Sequence, residues 1–266
     1  MNPSSSPWSE EETRQRNALC KIGELCYSRN YIAAADGNLS VRLADGDILV
    51  TPTGAMKGFL QPHQIAKVDM TGASVDGGPK ASSEIGIHLV CYEQRADVRA
   101  IVHAHPPHAV AMTIADIDMQ LPIIPEIIVT LGGIPTAPIA TPGTHELADS
   151  IRGIVSCSDT VIMKNHGSVT MGPHLMDAYK KLDMVEHTAR ILWLAHCAPI
   201  VVLKLGGSVL TGEDALATAV HEVYRHVRQG RRVLAVVSAM SGATDALLQR
   251  GRALDGEDAP HGLAPL

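Results

Sequence analysis

Ala100-Ile101-Val102-His103-Ala104-His105-Pro106 is an apolar run that closes on His-x-His and is stopped by proline. A segment this short and this rich in Ile and Val reads as a buried strand, in which alternate side chains share one face. His103 and His105 then point the same way, so two imidazoles can reach one ion. A second run, Thr160-Val161-Ile162-Met163-Lys164-Asn165-His166-Gly167, reads as a strand ending on His166, and Glu84 opens a helical segment behind Ser82-Ser83. Three neutral nitrogens and one carboxylate suit zinc, with the carboxylate as the ligand most easily displaced by a substrate.

Taken singly, these residues have plainer readings. A lone histidine in an apolar strand is usually a packing residue, Ser82-Ser83 serves any helix as a cap, and Asn38 and Thr53-Gly54 suit ordinary turns. Only their conjunction points to a metal. His88, one helical turn after Glu84, is read as structural. His63, His108, His145, His174, His187 and His196 have no partner pattern.

Outward from the central strand, Glu10 to Arg29 carries Leu19, Ile22, Leu25 and Cys26 at helical spacing behind an acidic first turn. Asn38–Arg42 and Asp47–Thr51 flank Ala44-Asp45-Gly46, the signal of a hairpin. A third strand is expected over Ile65–Asp69. Helices are expected over Ser83–Gln94, after Pro106-Pro107, over Thr144–Ile154 and over His174–His196; Glu126–Leu131 is ambiguous. The elements lack the regular strand–helix–strand spacing of a doubly wound sheet. The expected fold is therefore α/β of the α+β type, a mainly antiparallel central sheet flanked by helices.

The character changes at Ala198-Pro199. Ile200–Leu205 and Val233–Val237 read as buried strands on either side of a helix from Glu213 to Gln229, a short β-α-β unit too small to cover its own faces. Residues 1–9 read as a disordered lead, 10–198 as the main domain and 199–266 as a partial second segment.

With 266 residues, 45% hydrophobic and 19% charged, the chain has the balance of a globular protein. A net charge of -6 without a basic stripe argues against nucleic acid and against an anionic membrane surface. Five scattered cysteines without C-x-x-C spacing favour a reducing cytoplasm, and the polar start lacks the order of a signal peptide.

Gly37-Asn38-Leu39-Ser40, Thr51-Pro52-Thr53-Gly54, Ser82-Ser83-Glu84, His103-Ala104-His105 and Asn165-His166-Gly167, in this order, resemble the motifs of the class II aldolase/adducin family, whose enzymes include L-fuculose-phosphate aldolase. The resemblance implies that His103, His105, His166 and Glu84 hold one Zn2+ per subunit. It further implies that Gly37, Asn38, Thr53, Gly54, Ser82 and Ser83 cradle a substrate phosphate, consistent with hydroxyls and backbone N–H groups at a helix start. The implied activity is retro-aldol cleavage of a phosphorylated ketose to dihydroxyacetone phosphate and an aldehyde. In it, zinc stabilises an enediolate and Glu84 carries protons. Glu126 stands where the fuculose-phosphate branch has a proton-donating tyrosine from a neighbouring subunit, so a pentulose-phosphate 4-epimerase and a sugar-phosphate dehydratase are kept as alternatives. A non-catalytic, adducin-like scaffold is the alternative of another class. The family also implies a homotetramer with active sites at subunit interfaces.

The tail resembles something else. Val202-Leu203-Lys204-Leu205-Gly206-Gly207-Ser208 and Val236-Val237-Ser238-Ala239-Met240-Ser241-Gly242-Ala243-Thr244-Asp245 are similar to the start of an aspartate kinase, within the amino-acid kinase family.

Overall fold

The computed structural model describes residues 7–120, 125–196, 200–206 and 213–237. Residues 1–6 of the expected lead, the junction at 197–199, Gly207-Ser208 of the tail's first loop and the loop from Ser238 onward lie outside the described residues. The chain divides into two compact units after Trp193.

Helix α1 (Glu10–Ser28) starts where three glutamates face the positive end of the helix dipole and the Ser9 hydroxyl accepts from the Glu12 N–H at 3.1 Å. Strands β1 (Asn38–Arg42) and β2 (Ile48–Val50) form the expected hairpin, and β3 (Ala66–Val68) pairs with β2. Then come α2 (Ile85–Gln94), β4 (Ala100–Ala104), α3 (Pro107–Ile114), α4 (Pro125–Leu131), β5 (Thr136–Ala137), α5 (His145–Val155), β6 (Thr160–Met163), β7 (Gly167–Gly172) and α6 (Leu175–His196). The ambiguous segment around Glu126 is thus helical. Seven strands make one sheet in the order β3-β2-β1-β4-β7-β6-β5, antiparallel at every pairing except β5 with β6.

Strand alternation divides the apolar side chains between the sheet's two faces. Ile101, Val161, Val169 and Met171 pack under α2 and α5, against Ile87, Val90, Cys91, Leu147 and Ile151. Leu39, Val41, Ala100, Val102 and Ala104 pack on the opposite face, against Leu19, Ile22 and Cys26 of α1 and Leu175, Ala178 and Leu182 of α6. Helices therefore cover both faces. His103 shares its face with Ile101 and so looks toward α2, the helix that Glu84 opens.

Two elements depart from the sequence expectation. The strand expected to run through to His166 ends at Met163; Lys164–His166 is a turn, and the chain returns as β7 between β4 and β6. Ser168-Val169-Thr170-Met171 does alternate, but the run is only four residues long and the glycines bounding Gly167–Gly172 suggest a loop. The two-residue β5 is too short to carry a pattern at all.

Beyond the division, β8 (Ile200–Leu205), α7 (Glu213–Arg228) and β9 (Arg232–Val237) form the expected parallel β-α-β unit, with Ile200 opposite Arg232 and Leu205 opposite Val237. Among the described residues, no helix is long and apolar enough to cross a membrane.

Candidate metal centre

Three separate elements deliver the four candidate ligands. β4 presents His103 and, just past its end, His105; the β6–β7 turn presents His166; the residue capping α2 is Glu84. Glu84 occupies the N-cap position without making a capping bond, because its carboxylate is turned to the histidines. Oε2 lies 3.3 Å from His103 Nε2, Oε1 lies 3.2 Å from His166 Nε2, and the Nε2 atoms of His103 and His105 are 3.1 Å apart. One ligand atom from each of the four residues falls within 4.8 Å of all the others. Four ligands at about 2.0–2.1 Å around a tetrahedral zinc stand roughly 3.3 Å from one another, so the donor set fits such an ion.

The surroundings orient the side chains of the cluster. His103 is fully buried, and its Nδ1–H donates to the Ser168 carbonyl at 2.9 Å, which turns Nε2 toward the cluster. Burial, reinforced by the nearby charge of His103 and His166, pushes the His105 imidazole down to about 3, so it is neutral near pH 7. Burial by itself would raise the Glu84 carboxyl, but hydrogen bonds and charge from His103 and His166 outweigh it and hold the group far below the usual carboxylate range. Glu84 is ionised.

Close approach of β4 to the turn needs glycine. A Cβ on Gly167 would stand 2.5 Å from the Ala104 carbonyl oxygen, 2.6 Å from His105 Cδ2 and 3.1 Å from His103 Cε1. Asn165, just before His166, takes φ 58°, a left-handed conformation that asparagine tolerates better than most residues, and its N–H donates to Thr113 Oγ1 at 3.0 Å.

Beside this cluster the three expected cradle segments run together. Leu39 and Thr51 exchange hydrogen bonds, Pro52 bridges Ala81, Thr53 N–H donates to the Lys80 carbonyl, and Ser82 N–H donates to that of Thr51. Gly37 and Gly54 take φ 66° and 70°, and Thr53, Gly54 and Ser83 are exposed. The side chain of Asn38 is turned away from that rim: its amide donates to Glu84 Oε2 at 3.0 Å and its oxygen meets His88. Glu126 is exposed on the first turn of α4 and is not one of the four clustered residues.

Two buried polar residues carry little functional signal in the sequence. His88 lies on the buried face of α2 and is linked to Asn38, a placement hinted at only by its spacing from Glu84. Lys57 is buried too; its ammonium donates to the Ala35 carbonyl, and burial lowers its pKa against the opposing pull of Asp36 and Glu84. A lysine three residues beyond Thr53-Gly54 gives no sequence signal of burial.

Residues 17–193 match the Class II Aldolase and Adducin N-terminal domain. The chain belongs to the class II aldolase and adducin family. The L-fuculose phosphate aldolase of Methanococcus maripaludis is 35% identical over 65% of this chain and 93% of its own length. The 3-oxo-tetronate 4-phosphate decarboxylase of Escherichia coli is 29% identical over 76% and 96%. The crystal structure of YgbL from Escherichia coli covers 71% of this chain and 92% of its own at 28% identity, with a TM-score of 0.67. These similarities make the chain an enzyme of the class II aldolase family. Residues 199–263 match the amino acid kinase family.

Proposed function

We propose that the protein is a zinc-dependent carbon–carbon lyase that releases dihydroxyacetone phosphate from a phosphorylated hydroxy-carbonyl substrate. The observation that carries this reading is the convergence of Glu84, His103, His105 and His166 on one point. Retro-aldol cleavage of an L-fuculose 1-phosphate-like ketose is the first reading. Decarboxylation is the second, favoured by the decarboxylase among the relatives. The two share their chemistry. Loss of an aldehyde from a ketose 1-phosphate and loss of CO2 from 3-oxo-tetronate 4-phosphate leave the same enediolate, whose protonation gives dihydroxyacetone phosphate.

His103, His105, His166 and Glu84 would hold the zinc, which supplies Lewis-acid stabilisation of the enediolate when bound. Gly37, Thr53, Gly54, Ser82 and Ser83 would bind the phosphate, in a rim that needs no arginine because backbone N–H groups and hydroxyls serve a dianion, while Asn38, whose amide is engaged by Glu84 and His88, would frame that rim from behind. Glu84, ionised and within reach of the reacting end, carries the proton to and from substrate. Glu126, exposed on α4, acts as acid or base in the site of a neighbouring copy within a homotetramer. The cytoplasm fits such a phosphosugar enzyme. On this reading residues 10–198 carry the activity, and 199–266 take no part in it.

The test follows dihydroxyacetone phosphate by its enzymatic reduction. Zinc-loaded protein is expected to release it from L-fuculose 1-phosphate or from 3-oxo-tetronate 4-phosphate, with aldehyde or CO2 as the co-product, and Glu84→Gln is expected to lose at least about 100-fold in kcat. A product with its carbon skeleton intact would instead mean an epimerase or dehydratase, and no release from a panel of ketose phosphates would sink the lyase reading.

A further inference from the structure

Asn38 and Ser40 on β1 lie on the sheet face that looks toward α2, with Asn38 directly opposite His103 in the strand pairing. α2 answers with Glu84, His88 and Tyr92, spaced four apart and therefore aligned on one stripe. Their side chains interlock. Tyr92 Oη meets Ser40 Oγ at 2.7 Å, Ser40 Oγ meets His88 Nδ1 at 2.6 Å, His88 Nε2 meets Asn38 Oδ1, and Asn38 Nδ2 meets Glu84 Oε2 at 3.0 Å. Ser40 and His88 are fully buried, and Asn38 and Tyr92 nearly so.

Chemistry assigns a direction to every link. The Asn38 amide donates its NH2 to Glu84 and therefore offers His88 its oxygen. That oxygen only accepts, so His88 carries its proton on Nε2. Full burial keeps the His88 ring neutral, so Nδ1 is a bare acceptor, Ser40 must donate to it, and Tyr92 must donate to Ser40. Reversal at any point would bring two acceptors or two donors together in a buried place, at the full cost of unsatisfied polar groups.

We propose that His88 is a positioning residue: it locks the Asn38 amide with its NH2 toward Glu84, so that the carboxylate keeps one orientation relative to the three histidines. The proposal rests on the reading of Glu84 as proton carrier. His88 is not one of the four clustered residues and acts through Asn38. The device also explains why polar residues interrupt an otherwise apolar interface between α2 and the sheet.

Two measurements on the full-length protein test it. In spectra of 15N-histidine-labelled protein, His88, assigned by its loss in His88→Gln, is expected as the Nε2–H tautomer alone; an Nδ1–H form or a mixture overturns the relay whether or not any substrate has been found. In kinetics at full zinc content, His88→Phe is expected to lower kcat about 10- to 100-fold with KM shifted less than about threefold, and His88→Gln, which keeps an N–H for Asn38, to recover most of the loss. Wild-type kcat in His88→Phe, or equal loss in both variants, overturns the positioning role. Should His88→Phe not fold, Ser40→Ala keeps the ring but removes the donor to Nδ1; a mixed tautomer with lowered kcat supports the relay, and an unchanged tautomer with unchanged kcat overturns it. If the wild type cleaves neither substrate, the lyase reading fails while the tautomer still decides the relay.

Discussion

Gly167 shows how much of the site depends on a missing atom. Its hydrogen faces the Ala104 carbonyl and the rings of His103 and His105, so a methyl there has to move backbone or imidazole. Gly167→Ala is expected to cost about 1–3 kcal/mol in unfolding free energy through overpacking and to reduce bound zinc measurably by elemental analysis, because the displaced atoms belong to the ligand rings. Full zinc content with wild-type stability would show that the turn relaxes freely. The His-x-His pair was legible because strand alternation is a strict rule, and Glu84 because Ser-Ser marks a helix start. His166 was legible as a candidate ligand but not as a turn residue. What places it there is the left-handed Asn165, and asparagine is compatible with that conformation without requiring it. The roles of His88 and Lys57 were not legible, because a buried polar residue is identified by partners far away in sequence, here Asn38 and Ala35.

At the scale of the element, α2 is the beam on which the site is mounted, and it is held at both ends. Its N-terminal residue turns into the histidine cluster. At its other end the Arg42 guanidinium, reaching over from β1, donates to the carbonyls of Tyr92, Arg95, Ala96 and Val98. One planar cation thus satisfies carbonyls that the helix end and the following loop leave open. Arg42→Ala is expected to lower unfolding free energy by about 2 kcal/mol, and Arg42→Lys to restore less than half of it, since an ammonium cannot fork across four acceptors. Chemical denaturation reads both; a full rescue by lysine would mean that charge alone matters there. Helices α1, α2, α5 and α6 and the first hairpin were readable from periodicity and turn residues. β7 was not, since its alternating stretch, Ser168-Val169-Thr170-Met171, is only four residues long and is bounded by glycines that read as loop.

At the scale of the whole molecule, the two units differ in how well they bury what they carry. The sheet of the first unit has a helix layer on each face, and its central strands β4 and β7 are buried along their whole length. The β8-α7-β9 unit has two parallel strands and one helix among its described residues, and Val202, Leu234, Val236 and Val237 are 61%, 54%, 48% and 59% exposed. Parallel strands are normally covered on both sides, and two of them with one helix bury too little apolar surface to offset the entropy of ordering the chain. Local opening should therefore cost far less in β8 and β9 than in β4 and β7. Amide hydrogen exchange followed by mass spectrometry is expected to show peptides from 200–205 and 232–237 exchanging at least about 100-fold faster than those from 100–104 and 167–172. Zinc should slow exchange in the second pair, where His103 and the turn before β7 meet the cluster, and leave the first pair unchanged. Equal protection in all four segments would mean that the open faces of β8 and β9 are covered in solution, and that the kinase-like segment unfolds together with the aldolase-like domain rather than ahead of it.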